Sequence, residues 1–225
     1  MTPDSIGTDG GRTVLRMERP LPHPPEKVWR ALTEPAHLAA WFPSTVEIDL
    51  RDGGEILFDG GDTRGRVTAL EPPHVLAFTW GDDDHLRWEV RPDGPGTVLV
   101  LHHAFTDHHG AASFATGWSA CVGALAESLG STARPVDMVA RHEEYVREFD
   151  LDAPVLDGGR VRIERQLTAP ADRVRPLLAP VAGVTWELTE GTGHGARLIA
   201  TATDPAQASV LRTRVAEIAA AAAAG

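Results

Sequence analysis

Cysteine and lysine are almost absent. Cys121 is the only thiol and Lys27 the only lysine in 225 residues. One thiol excludes an internal disulfide and fits a reducing compartment, so a cytoplasmic location is expected. No stretch of about eighteen apolar residues occurs, and no membrane-spanning helix is expected. The opening MTPDSIGTDGGR lacks the charged-then-apolar pattern of a signal peptide, and residues 1–11 are expected to be a disordered lead. Cations are outnumbered, 21 Lys and Arg against 32 Asp and Glu, for a net charge of −11. Nucleic-acid binding needs clustered cations for phosphate, so no nucleic-acid partner is expected. Arginine in place of lysine, with abundant alanine, is the composition of a GC-rich bacterial genome. GxSxG, HExxH and paired-cysteine spacings are all missing, and the glycine-rich GGDTRG and GTGHG do not stand between a strand and a helix. No catalytic residue, metal or cofactor is therefore predicted.

What is present is apolar patterning, 42% hydrophobic residues, enough for a packed core. Residues 13–21 read as a strand. Pro24-Pro25 opens a helix, because the first helical N–H groups lack partners anyway, and Val28, Trp29 and Leu32 follow at helical spacing. After Pro35, AHLAAWF forms a second short helix. Residues 45–50 and 54–59 are strands joined at RDGG, a hairpin signal. Further strands lie at 64–71, 75–80, 85–91 and 97–105, separated by EPPH, GDDD and RPDGPG. A long helix covers 111–129 and stops at Gly130. Short connections make neighbouring strands antiparallel. Only the long helix can cover the sheet's inner face, so the class is α+β.

Strand alternation assigns the faces. Leu86, Trp88 and Val90 share one face, His85, Arg87 and Glu89 the other. Leu76, Phe78 and Trp80 share a face on the preceding strand. On the last strand Leu99, Leu101, His103 and Phe105 are expected inward. On the long helix Phe114, Trp118, Cys121, Leu125 and Leu129 make one stripe toward the concave face.

In order and spacing, PPEKVWRALTEPAHLAAWF, GGEILF, VLAFTW, GTVLVLHHAF and GWSACVGALAESL resemble START-like proteins of the SRPBCC superfamily. More narrowly they resemble the bacterial family named after the activator of heat-shock protein 90 ATPase. The resemblance covers residues 12–130. It implies a helix-grip fold, a curved seven-stranded antiparallel sheet gripping a long C-terminal helix over a cavity. It also implies strand one beside strand seven, and seven beside six. The superfamily contains polyketide cyclases and aromatases. The family name points to a chaperone ATPase co-factor, although the eukaryotic activators carry an N-terminal domain with no counterpart in these residues.

The chain then begins again. VLRMERPLPHPPEKV (14–28) matches RVRIERQLTAPADRV (160–174) at a shift of 146, placing Met17-Glu18-Arg19 on Ile163-Glu164-Arg165. WEVRPDGPGTVL (88–99) matches WELTEGTGHGARL (186–198) at a shift of 98 with one insertion, and an Ala-rich helix follows at about 205–223. The drop in shift means that about 48 residues, near 36–84, have no counterpart. Residues 158–225 are therefore expected to be a truncated START-like repeat, β-α-β-β-α, reached through a helical extension and linker at 131–157. Its edge near Trp186 is left open, to be covered by docking on the first domain or by a homodimer.

The leading functional expectation is binding of a small hydrophobic molecule between sheet and long helix, entered near the helix end. Rings would line the cavity: Phe58, Phe78, Trp80 and Trp88 from the sheet, Phe105 near its end, and Phe114 and Trp118 from the helix. Leu101 and Cys121 complete the wall, and His103 is the one polar group able to orient a guest. Cys121 reads as a small buried hydrophobe, not a nucleophile. HHAFTDHH suggests a metal, but His102 and His103 are adjacent on a strand and point to opposite faces. His108 and His109 lie beyond it in a loop. Glu18-Arg19 and Glu164-Arg165 read as strand-surface pairs. A cyclase would instead use His103 as general acid or base.

Overall fold

The computed structural model describes residues 3–132, 135–193 and 195–224. They form two compact units: Met1–Thr106 with Trp118–Val136, and Asp107–Gly117 with Asp137–Gly225. The division differs from the expected boundaries, since residues 107–117 and the helical extension group with the second half.

In the first unit the strands are β1 (Ser5–Asp9), β2 (Arg12–Leu21), β3 (Val46–Ile48), β4 (Glu55–Phe58), β5 (Thr63–Glu71), β6 (Val75–Trp80), β7 (Asp84–Asp93) and β8 (Gly96–Phe105). They form one antiparallel sheet in the order β1-β2-β8-β7-β6-β5-β4-β3. Helices α1 (Pro25–Thr33) and α2 (Pro35–Leu38) connect β2 to β3, and the long helix α3 spans Ala111–Ser128. Seven strands are those expected. β1 corrects the disordered lead, of which residues 1–2 lie outside the described residues. Asp9-Gly10-Gly11-Arg12 is a hairpin, with positive φ at Gly10 (53°) and Gly11 (80°). Two such residues are what a turn matching the strand twist requires. The lone lysine has a structural use, since Lys27 Nζ donates to the Leu129 carbonyl (2.7 Å), capping the end of α3.

The alternation holds. Leu86, Trp88, Val90, Leu99, Leu101, His103 and Phe105 are buried, whereas Arg87 and Glu89 are only partly so. On the outer face Glu89 accepts from Arg87 (2.8 Å) and Arg91 (2.6 Å). Burial raises its pKa, but these bonds outweigh burial and hold it below the usual carboxylate value. On α3 the buried stripe is Ala111, Ala115, Trp118, Val122, Leu125 and Leu129. Phe114 and Cys121, expected at its centre, are half-buried at its flank. α3 is apolar nearly all round, so spacing alone could not choose its inner side.

The second unit holds α4 (Met138–Glu148), β9 (Val155–Asp157), β10 (Arg160–Gln166), α5 (Ala171–Val174), β11 (Val184–Glu190), β12 (Ala196–Ala202) and α6 (Ala208–Ala224). Its sheet runs β9-β10-β12-β11, the order of β1-β2-β8-β7. The registers correspond as well. Met17 and Trp88 both face Leu101, while Ile163 and Trp186 both face Ala200. Those are the positions that the shifts of 146 and 98 equate. Even the first hairpin recurs, in Asp157-Gly158-Gly159-Arg160 with φ of 53° and 77°. It lies two residues closer to its strand than in the first unit, and a two-residue change keeps every side chain on its face. β9 corrects the reading of residues 155–157 as linker. The four-stranded sheet thus fits a partial repeat.

A separate core of Val161, Ile163, Leu167, Val174, Leu198, Leu211, Val215 and Ile218 fills this unit. Two buried arginines tie its edges. Arg165, 4% exposed, bonds Asp152 (2.7 Å) and Glu143. Arg197 bonds Asp107 (2.6 Å) and Glu164 (2.9 Å). The two carboxyls of the second pair sit below their usual range, because these bonds outweigh the upward push of burial.

Candidate functional site

The concave face of the first unit is a box of rings. Trp88 meets Trp118 edge-on (5.5 Å, 82°) and Trp41 likewise (5.7 Å, 87°). Phe58 stacks on Trp80 (4.9 Å, 18°) and lies 6.2 Å from Phe78. Two residues from neither sheet nor long helix complete the box. Trp41 and Phe42 follow α2, and Phe42 reaches Trp80 (5.2 Å), Trp118 (5.9 Å) and Phe58 (6.2 Å). Trp41 is fixed by its indole N–H, which donates to the Ala31 carbonyl (2.8 Å). Edge-on and offset pairs are the arrangements that ring quadrupoles favour.

One polar chain runs through the box. Trp118 Nε1 donates to His103 Nδ1 (3.1 Å), and His103 Nε2 lies 2.9 Å from Asp84 Oδ1. An indole N–H cannot accept, so His103 Nδ1 is the acceptor and its proton sits on Nε2, facing the carboxylate. Both nitrogens of this buried imidazole are therefore engaged by the protein. His102, on the opposite face, approaches Glu89 at 4.0 Å.

The expected residues divide as follows. Phe58, Phe78, Trp88, Leu101, His103, Phe105 and Trp118 are buried within the first unit, and Trp80 is partly buried. Phe105 packs on His103 at 4.9 Å. Phe114 falls in the other unit. Cys121 is half-buried, and burial pushes its thiol pKa up to about 11. Among the described residues no group of three or more His, Cys, Asp or Glu is placed to hold a metal. One hollow beside the box has an open volume of about 20 Å³, bounded by Leu38, Trp41, Phe42, Phe58, Phe78 and Trp88 among others. That is room for about one water. Phe42 stands at this hollow's wall and contacts Phe58, Trp80 and Trp118. The only signal was the AWF run after Pro35, which reads as a helix end, not as a wall.

A family model described as "Activator of Hsp90 ATPase homolog 1-like protein" matches residues 22–130. The match spans just under half of the chain, and residues 22–130 are similar to this AHSA1 family. The matched residues include α1, the ring box and all of α3. No curated protein matches the chain. Among solved structures, CalU16 from Micromonospora echinospora is similar at 23% identity, covering 66% of this chain and 95% of that one with a TM-score of 0.56. A conserved protein of unknown function, EF2215 from Enterococcus faecalis, is similar at 22% identity, covering 64% and 89%, also at 0.56. These likenesses establish the fold of the AHSA1 unit, a large antiparallel sheet closed by a long helix. No helix of the described residues is long and apolar enough to cross a membrane.

Proposed function

We propose that the AHSA1 unit binds one small apolar molecule between its sheet and α3, and that Phe42 occupies the guest's place when the site is empty. The position of Phe42 carries this reading. A ring from a loop stands among Phe58 and Trp80 of the sheet and Trp118 of α3. The cover is light. α2 has four residues, of which only Leu38 is buried, so the segment is pinned by Leu38, Trp41 and Phe42. A short exposed segment opens at lower cost than strands of a central sheet. Withdrawal of one phenyl ring leaves an apolar hollow walled by Phe58, Trp80 and Trp118, which suits a planar or aliphatic guest.

A cyclase role for His103 is weakened by the engagement of both ring nitrogens, which leaves neither of them directed at a guest. His103 instead holds the Trp118 wall in place. With a single, weakly ionising thiol, the protein suits a reducing cytosol.

Native mass spectrometry of freshly purified protein tests the reading. A bound small molecule, lost on organic extraction, is expected. Saturating fatty acids or apolar dyes should raise the Tm, and Phe42→Ala should bind them more tightly by removing the competitor. A bare mass, with no Tm response to such a panel in either protein, overturns it.

A further inference from the structure

The outer edge of β11 holds backbone groups that the matching strand of the first sheet spends on a neighbour. Thr203 N donates to the Gly183 carbonyl (3.0 Å), directly across from β12. Bonded and non-bonded pairs alternate along an antiparallel strand, so Thr185, Glu187 and Thr189 also face β12. Val184, Trp186 and Leu188 turn their backbone groups outward. The shift of 98 sets these three on Leu86, Trp88 and Val90. There the outward groups meet β6: Val90 N donates to the His74 carbonyl (2.8 Å), and Leu86 and Trp88 face Phe78 and Leu76. In β11, Val184 N turns back to the Val181 carbonyl (3.1 Å). Among the described residues, the backbone groups of Trp186 and Leu188 have no partner on that side.

Nothing guards this edge. β11 has no proline, lysine or bulge, the devices that block edge pairing. Its inner face is apolar up to the rim. Val184, Trp186 and Leu188 are half-buried, and Val181 and Val210 stand 42% and 73% exposed on the same flank.

We infer that β11 pairs antiparallel with β11 of a second copy of this chain, about a two-fold axis through Trp186. A two-fold interface needs a surface complementary to itself, and β11 has one. With the axis at Trp186, that residue meets its counterpart, Val184 meets Leu188, and Thr185 meets Glu187. Apolar side chains then oppose apolar ones on the inner face, and the free N–H groups of Trp186 and Leu188 find carbonyls. Moving the axis by one residue sets Glu187 against Glu187 and Glu190 against Val184, and like charges directly opposite are destabilising. The joined sheet has eight strands, as the first sheet does, with the second copy in the place of β6. This surface shares no residue with the site proposed in the AHSA1 unit.

Sedimentation equilibrium of the full chain tests this, and a reversible dimer is expected. Thr185 and Glu187 are exposed on the outer face, so a change at Thr185 disturbs no core contact. Thr185→Glu puts like charges opposite Glu187 at two symmetry-related places and should weaken the dimer about fivefold. Thr185→Lys puts opposite charges there and should tighten it about fivefold. Both changes should shrink at high salt. With the axis at Glu187, Thr185 would face Thr189 and neither variant would act in this way. Hydrogen exchange at the Trp186 and Leu188 amides should slow as protein concentration rises. A monomer at every concentration, or a dimer that responds alike to the two Thr185 variants, overturns the inference. So do Trp186 and Leu188 amides protected in the monomer, since another part of the same chain then covers the edge.

Discussion

Trp88 and Trp186 hold the same register position in two sheets of the same strand order, yet only one is sealed. Trp88 is 1% exposed, on a strand with neighbours on both sides. Trp186 is half-buried, on an edge strand. The first sheet continues past β7 into β6, β5, β4 and β3, and the second stops at β11. The helices differ in the same sense. Counted from its first residue, α3 presents Trp118 where α6 presents Val215. The larger unit carries more strands and more rings around its indole. The smaller keeps one indole and an open flank. The same local pattern thus gives a closed core or a cleft, depending on how many strands follow it.

The largest effect is expected from breaking the sealed side. Trp88→Ala should cost about 3–5 kcal/mol, because a fully buried indole leaves a cavity that its neighbours cannot collapse into. Trp186→Ala should cost about 1–2 kcal/mol, since much of that ring already meets water. Denaturant unfolding with separate reporters for each unit checks both, and equal losses would remove the contrast.

Next come the charges that stand in for missing apolar area in the smaller unit. Arg197→Met removes the partner of Asp107 and Glu164 and should cost about 2–3 kcal/mol, less than for a wholly buried pair because Asp107 is partly hydrated. The same pairs predict acid sensitivity. Asp107 and Glu164 have folded pKa values below their unfolded ones. Their contribution is complete above the unfolded value, near pH 4, and is lost as pH falls through the folded one. The Tm of the second unit should therefore fall below about pH 4, and Arg197→Met should flatten that dependence.

Much of this was legible in the sequence, for physical reasons. Alternation in DHLRWEVRPD fixed the faces of β7, because a two-residue period leaves only two choices. The likeness of the second sheet to part of the first was legible because two shifts, 146 and 98, equated residues that turn out to share register partners. The place of Phe42 among the rings was not legible. Whether Phe42 enters the hollow depends on the path of a loop, and no period governs a loop. Phe114 and Cys121 were misplaced because α3 has no polar face to break the tie. β1 and β9 were missed although both carry Asp-Gly-Gly-Arg, because strands of five and three residues are too short to show a period. Asp84 lay in GDDD, a turn signal that hides a buried imidazole's partner.

A smaller effect is expected along the polar chain of the ring box. Trp118→Phe keeps most of the apolar wall but leaves His103 Nδ1 without its donor. The cost should be about 1–3 kcal/mol for the stranded acceptor, on top of the lost ring area. Trp118→Phe combined with His103→Leu removes both partners and should recover part of that loss. If the pair is no more stable than the single variant, the hydrogen bond contributes nothing.

The smallest effect concerns reactivity, and it probes how tightly α3 is held against its surroundings. Cys121 lies off the central stripe, so it is neither fully sealed nor free, and burial puts its thiol pKa at about 11. Only the thiolate attacks a disulfide reagent. Near pH 8 the thiolate fraction should be about 100-fold below that of an ordinary cysteine, whose pKa is near 8.5–9. Labelling with an aromatic disulfide should be slower by about that factor in the folded protein and normal in denaturant. Phe42→Ala loosens the far side of the box without touching Cys121. A rate that stays slow in that variant places the opening at the α2 segment alone, whereas a rate that rises with it means that α3 moves when the lid does.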